Sequence, residues 1–446
     1  MEPSLKGENY KIKTRENGWH SFVDVLAIDQ PLGTGYSNGL DQFYSKTIDE
    51  AAYYFETFLT KFLYLFPEYQ NSEIYIGGES YAGVWIPAFS HRLLNREDNK
   101  LNIKGLMIGN GWMDSKNQYP GILDYVKKYN VLDERDMLKF EEISYTCFKH
   151  LKSLTMNPIS IPVCDTMLNT VTELSDTAKM EGSKTCINLY DRRLIDNYPD
   201  CGMGWPPNVN AFHSYMSEKK VSKALNTHQP KGGWTECNND VMKYLKTENI
   251  NSTIDYLPSL LDKLEILLFV GDQDIMVNYI GVEYMINNLT NSNINQQDKK
   301  YIGNNNNIMD GELLQNESLY YVKLFNGSHM VSYDLPEQTS NLFNWFINRN
   351  ENQQFLTEEK GGNNLLRSIK NFNSNNNNNN EDGSLSTMDI SIISISSVTV
   401  LLLLLFLIFW KWNTNRKQSQ DKELLLQREA ESNLSEDPME EDIELR

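Results

Sequence analysis

The sequence predicts an α/β fold: a mostly parallel sheet with helices on both faces and an inserted cap. Three observations predict it. Short apolar, β-branched runs alternate with longer stretches of helical period. One such run passes through a glycine-rich turn directly into a helical pattern. Residues 115–240 break the alternation; they hold the cysteines, Pro206-Pro207 and few clean strand patterns, and are expected to form the cap.

The elements follow in chain order. Phe22–Ile28 (FVDVLAI) is a short apolar run that reads as a strand, and Ile48–Leu65 has helical period. Glu73–Ile76 is a short strand pattern, followed by the glycine-rich turn and a helix from Ala82. Ile103–Ile108 and Leu264–Val270 read as further buried strands. Tyr320 opens another, which ends in a turn before His329. The 24 Tyr, 18 Phe and 8 Trp among 446 residues support a sizeable core, placed within residues 1–350.

The rest of the chain has a different character. Residues 351–389 include the polar run NFNSNNNNNNED and read as a flexible stalk. Asn304 to Asn307 form a smaller tract, expected to be a surface loop. Residues 390–410 carry no charge; at 1.5 Å per residue this run matches the bilayer core of about 30 Å. Lys411, Arg416 and Lys417 follow it and Glu381, Asp382 and Asp389 precede it. The positive-inside rule then places residues 411–446 in the cytosol and the large domain in a lumen, on a single-pass membrane protein. Within that tail, Asp421, Leu425 and Leu426 resemble an acidic dileucine signal for sorting adaptors; an ordinary charged-apolar stretch fits the pattern equally. The first residues, MEPSLKGENYKIK, show no apolar core of a signal peptide. Triplets at Asn251, Asn288 and Asn316 are candidate glycosylation sites, and the one at Asn326 lies beside a candidate catalytic histidine.

Composition excludes some functions. A net charge of −19 argues against nucleic acid, and much of the acidity sits in the tail after Glu429. No Cys-x-x-Cys pair occurs, so a zinc site is not expected; neither a metal nor an organic cofactor is implied. Cys147, Cys164, Cys186 and Cys201 lie close together in sequence and are candidates for two disulfides, leaving Cys237 over.

The chemistry centres on Gly77-Gly78-Glu79-Ser80-Tyr81-Ala82-Gly83, which follows a strand and opens a helix. Small residues two before and two after the serine allow a sharp turn and leave Ser80 exposed as a nucleophile, with the Tyr81 N–H free to help hold an oxyanion. A tight turn carrying a buried serine would give the same string. Downstream, an apolar strand ends in Asp272-Gln-Asp274. His329 is the only histidine C-terminal to it, so a triad in the order Ser, Asp, His has no other base. Spacing alone does not separate Asp272 from Asp274.

These residues strongly resemble the serine carboxypeptidases, which carry the α/β-hydrolase fold. The matching strings are Asp29-Gln-Pro-Leu-Gly-Thr-Gly-Tyr-Ser37, Gly78-Glu-Ser-Tyr-Ala-Gly83, Ile108-Gly-Asn-Gly-Trp112, Gly271-Asp-Gln-Asp274 and Gly327-Ser-His-Met330. The stretches Cys186 to Trp205 and Trp234 to Cys237 look like the membrane-bound, late-Golgi branch that trims Lys and Arg from pheromone and prohormone ends. The resemblance implies substrates with a free C-terminus. It selects Asp274 for the triad and gives Glu79 the substrate's terminal carboxylate. Two carboxyl groups pair only when one is protonated, so peptide hydrolysis should be faster near pH 5 than near pH 8. The family's upstream Asn-Gly-Gly-Pro-Gly-Cys-Ser-Ser segment does not occur in the sequence. The expectation is therefore a chain shortened at its N-terminus, missing one oxyanion donor and the cysteine that would pair with Cys237. An active carboxypeptidase and a non-catalytic, membrane-anchored relative both stand on these residues, as does ester hydrolysis or acyl transfer on the same machinery.

Overall fold

The computed structural model describes residues 15–349, apart from 16, 97–100, 176–183, 231, 236, 247–249, 292–299 and 304–308. In chain order its elements are α1 (Ile48–Leu65), β1 (Ile74–Glu79), α2 (Ala82–Leu94), β2 (Ile103–Gly109), α3 (Ser115–Lys128), α4 (Glu134–Ser153) and α5 (Pro162–Leu174). The short strands β3 (Thr185–Ile187) and β4 (Ile195–Asn197) follow, then α6 (Val209–Met216), α7 (Lys219–Ala224), α8 (Asn239–Leu245) and α9 (Leu257–Leu261). The chain continues through β5 (Glu265–Gly271), α10 (Tyr279–Thr290), β6 (Lys300–Gly303), β7 (Met309–Asn316), β8 (Leu319–Leu324), α11 (Val331–Asp334) and α12 (Pro336–Asn348).

The main sheet has the order β1-β2-β5-β8-β7-β6. Its first four strands are parallel, and β7 and β6 continue it as an antiparallel edge, so the sheet is mixed. Successive side chains of a strand point to opposite faces, and here both faces are apolar. Along β5, Ile266, Leu268 and Val270 join Leu106, Ile108 and Tyr321 on one face. Leu267 and Phe269 join Tyr320, Val322 and Leu324 on the other. Each face needs cover. Side chains of α1, α2, α3 and α10 close the first, among them Phe55, Phe89, Tyr125 and Met285. Leu342, Phe343, Trp345 and Phe346 of α12 close the second.

Local sequence explains the helices nearest the site. The hydroxyl of Thr47 accepts the Glu50 N–H at 3.1 Å, and Glu50 reaches back to the Lys46 N–H at 2.7 Å, capping α1. Ile48, Ala51, Ala52, Phe55, Leu59 and Leu63 then form its buried stripe. Helices α3 and α10 meet backbone to backbone, because a Cβ on Gly121 would lie 2.3 Å from Gly281 Cα.

One expected strand is not formed. After a short 3-10 turn at Trp19–Ser21, residues Phe22–Ile28 run irregularly, with Val25 53% and Leu26 44% exposed. No strand of the described sheet pairs with this run, and an apolar pattern without a ladder partner gains nothing from extended geometry. The disulfides are Cys147–Cys164, joining α4 to α5, and Cys186–Cys201, joining β3 to the turn after β4; Cys237 is exposed and belongs to neither. The stalk, the apolar run 390–410, the tail and Asn304 to Asn307 lie outside the described residues. Among those described, no helix is long and apolar enough to cross a membrane.

The α3–α10 contact gives a stability prediction. Gly121→Ala forces two helix backbones apart and should cost about 1–3 kcal/mol. Gly204→Ala, where a new Cβ would meet nothing within 4 Å, serves as the control. Equal denaturation midpoints for the two variants would refute the close approach.

Candidate active site

β1 runs out at Glu79, and the chain must reverse into α2 within two residues. It does so through Ser80, whose φ of +61° is left-handed, a conformation that costs a residue with a Cβ. The turn is tied down on both sides: the Ser80 N–H donates to Gly109 O at 2.9 Å, and Ser80 O accepts from Trp112 N at 3.1 Å and Gly83 N at 3.0 Å. Gly78 has no room for a side chain, because a Cβ there would lie 2.7 Å from the Ala82 methyl. Gly83 has none either, since a Cβ would press on Trp112 backbone at 2.7 Å. The Tyr81 N–H, first in line toward α2, has no acceptor among the described residues.

The acid and the histidine come from the next parallel strands. Asp274 follows β5 and is fully buried; His329 follows β8 and is 4% exposed. The His329 Nδ1–H donates to Asp274 Oδ2 at 2.7 Å, which leaves Nε2 for a substrate-side proton. Asp274 Oδ1 accepts the Met276 N–H at 2.9 Å. Asp272 has a different job: its Oδ1 accepts the Asn326 N–H at 2.7 Å and the Gln273 amide at 2.8 Å, bracing one turn against the other. The structure thus separates the two carboxylates that spacing left equivalent.

Several neighbours were not assigned a role from sequence. Asn110, left-handed at the end of β2, donates from Nδ2 to Asp274 Oδ2 at 2.7 Å. Its place between two glycines after a buried strand was the available signal. The loop between β3 and β4 also reaches the site. Tyr190 O accepts the His329 N–H at 2.8 Å, its ring lies 4.9 Å from the imidazole, and Leu189 O accepts from Ile275 N and Met276 N. Arg193 grips Asp191 with two nitrogens, at 2.7 and 2.6 Å, and reaches Asn326 O at 3.1 Å. Such backbone contacts between loops distant in the chain leave no mark in sequence. Of the candidate glycosylation sites, Asn251 and Asn288 are exposed and Asn316 is half-buried.

Glu79, the last residue of β1, is half-buried and has His329, Asp274 and Asp334 as charged neighbours. Burial pushes its carboxyl up to about 7; His329 pulls it down, and Asp274 and Asp334 push it up. Burial alone would lower His329, but the charge and hydrogen bond of Asp274, helped by Glu79, raise it above its ordinary value. Among the described residues, no cluster of side chains could hold a metal ion.

A serine on a strand-to-helix elbow, with an acid–histidine pair at the ends of neighbouring parallel strands, defines an α/β-hydrolase-like fold. The model of the serine carboxypeptidase family matches residues 3–349, and the chain belongs to that family. It is 34% identical over 341 residues to the pheromone-processing carboxypeptidase KEX1 of Coprinopsis cinerea, covering 75% of this chain and 55% of that protein. With the protein of the same name from Paracoccidioides brasiliensis the figures are 36% over 356 residues, 74% and 55%. The chain therefore spans about half the length of these curated relatives. Among solved structures it resembles Kex1Δp, a prohormone-processing carboxypeptidase from Saccharomyces cerevisiae, with a TM-score of 0.70, 27% identity and 78% of each chain covered.

The elbow makes a testable pair. Gly78→Ala should lower stability and abolish labelling by a serine-directed fluorophosphonate, because its methyl meets that of Ala82. In an Ala82→Gly background the same change should be tolerated far better. A double-mutant cycle showing no coupling would contradict this close approach of positions 78 and 82.

Proposed function

We propose that the protein is a serine-type carboxypeptidase, removing C-terminal residues from peptides and proteins through an acyl-enzyme formed on Ser80. The observation that carries this reading is a carboxyl, Glu79, set directly beside an elbow serine, pushed up to about 7 by burial and standing in the field of a buried histidine–aspartate pair. An esterase has no use for such a group. A protonated Glu79 donates a hydrogen bond to the substrate's terminal carboxylate and so selects a chain end.

In this reading each residue has one role. Ser80 Oγ attacks the carbonyl carbon while His329 Nε2 takes its proton. Asp274 holds the imidazole in the tautomer with Nδ1–H and stabilises the cation. The Tyr81 N–H donates to the developing oxyanion. His329 returns the proton to the leaving amine; water then enters by the reverse route and frees Ser80. A preference for a basic C-terminal residue is proposed from the pheromone- and prohormone-processing relatives. Residues 115–240 serve as the cap, supported by the β3–β4 loop reaching the acid and histidine turns. The two disulfides support a lumenal domain on the secretory and endosomal route, Golgi above all. Glycans at Asn251, Asn288 and Asn316, a span at 390–410 and adaptor contacts at Asp421, Leu425 and Leu426 complete the proposal.

The pH profile tests it. Glu79 must be protonated to bind a carboxylate, so kcat/KM on a free-ended peptide should fall as pH rises through about 7. His329 must be neutral to take a proton, so the rate should also fall on the acid side. Glu79→Gln should lose the alkaline fall, and a C-terminally amidated substrate should never show it. An unchanged alkaline fall in Glu79→Gln removes Glu79 from this role. Ser80→Ala should abolish turnover, and Asp274→Asn should lower kcat about 10⁴-fold. Equal rates for wild type and Ser80→Ala would overturn the enzymatic reading.

A further inference from the structure

We propose that Asn110 is a positioning residue for this reaction: it holds the oxygen of Asp274 that His329 uses and so fixes the axis of the imidazole. The inference rests on Asp274 and His329 being the acid and base proposed above.

Asn110 stands where β2 ends, between Gly109 and Gly111, with φ +39°. Its N–H donates to Phe269 O at 2.9 Å, extending the β2–β5 pairing by one residue. That bond turns the side chain toward the end of β5, where it is fully buried. There the amide has one way round. Its Oδ1 faces a donor, the Gly271 N–H, at 3.2 Å. Its Nδ2 faces two acceptors, Asp274 Oδ2 at 2.7 Å and Val277 O at 3.4 Å. A flipped amide would set oxygen against carboxylate. Asp274 Oδ2 therefore receives two donors, Asn110 Nδ2–H and His329 Nδ1–H, while Oδ1 receives the Met276 N–H. The carboxylate cannot rotate without breaking one of three bonds in a place closed to water.

A shared oxygen is also a tempered one. The Asn110 donor takes up part of the negative charge that would otherwise bear on the imidazole. Removing it should make His329 hold its proton more tightly. The other titratable groups around the pair include Glu79 at the end of β1, Asp334, Tyr190 with its ring 4.9 Å from the imidazole, and Tyr125, which has Asp274, Asp272 and Arg192 as neighbours. None of them bonds Asn110, so the substitution leaves them in place.

The experiment uses the whole protein and a C-terminally amidated substrate, which makes no use of Glu79. Asn110→Gly keeps the left-handed turn and removes only the amide; Asn110→Ala removes it with added backbone strain. Both should lower kcat about 10- to 100-fold, the equivalent of one hydrogen bond to a charged group, with little change in KM. Both should move the acid limb of the profile to higher pH and shift the low-field Nδ1–H proton resonance of His329. Asn110→Asp is isosteric and folds into the same turn. It should be active only in acid, where one proton is shared between the two carboxyls, and fail as pH rises. Variants with kcat within twofold of wild type, or a lower midpoint of unfolding with an unmoved profile and resonance, would overturn the proposal. If wild type shows no Ser80-dependent turnover, the enzymatic reading fails. The His329 resonance in wild type and Asn110→Gly then still decides whether Asn110 holds the pair.

Discussion

Asp274 keeps a carboxylate where no solvent reaches it, and the surrounding structure is arranged to meet that demand. A buried charge without donors is costly, so each donor that satisfies it is also a restraint on the fold. The donors come from the turn after β5, from the end of β2 and from the turn after β8. The carboxylate is thus the knot at which three neighbouring parallel strands are tied. The elbow serine stands on the same rim because β1 lies beside β2 and runs parallel to it. Parallel order brings strand ends to one rim, and at that rim polar atoms can collect above an apolar core.

The parts of this plan that repeat locally were legible in the sequence. The stripe of α1 and the apolar runs of β2 and β5 follow period and length, and the structure places them where those rules do. The Phe22–Ile28 run obeyed the same local rule and failed, because a strand needs a partner that its own residues do not supply. Asp272 and Asp274 show a similar limit. Both end an apolar strand, and only the fold decides that one faces imidazole and the other braces a turn. The grip of Tyr190 and Arg193 on the histidine turn passes largely through carbonyl oxygens, which every residue has.

The β3–β4 loop shows how a small, disulfide-tied hairpin can matter more than its size suggests. Leu189 O and Tyr190 O take N–H groups from both turns of the acid–histidine pair. Gln273 O in turn accepts the Arg192 N–H at 3.0 Å. Two loops far apart in sequence are held in one register by a third. The cross-link Cys186–Cys201 keeps that third loop short.

Ser80 bears a cost of its own. Its left-handed backbone favours glycine, and a residue with a Cβ there stores strain of about 1–3 kcal/mol. Glycine would be the more comfortable occupant of this backbone and would leave a sturdier protein, without the hydroxyl on which the proposed chemistry depends. If Ser80 is the nucleophile proposed above, drift toward thermal robustness at this one residue would run against activity, and selection would have to hold the serine while the fold around it pulls the other way.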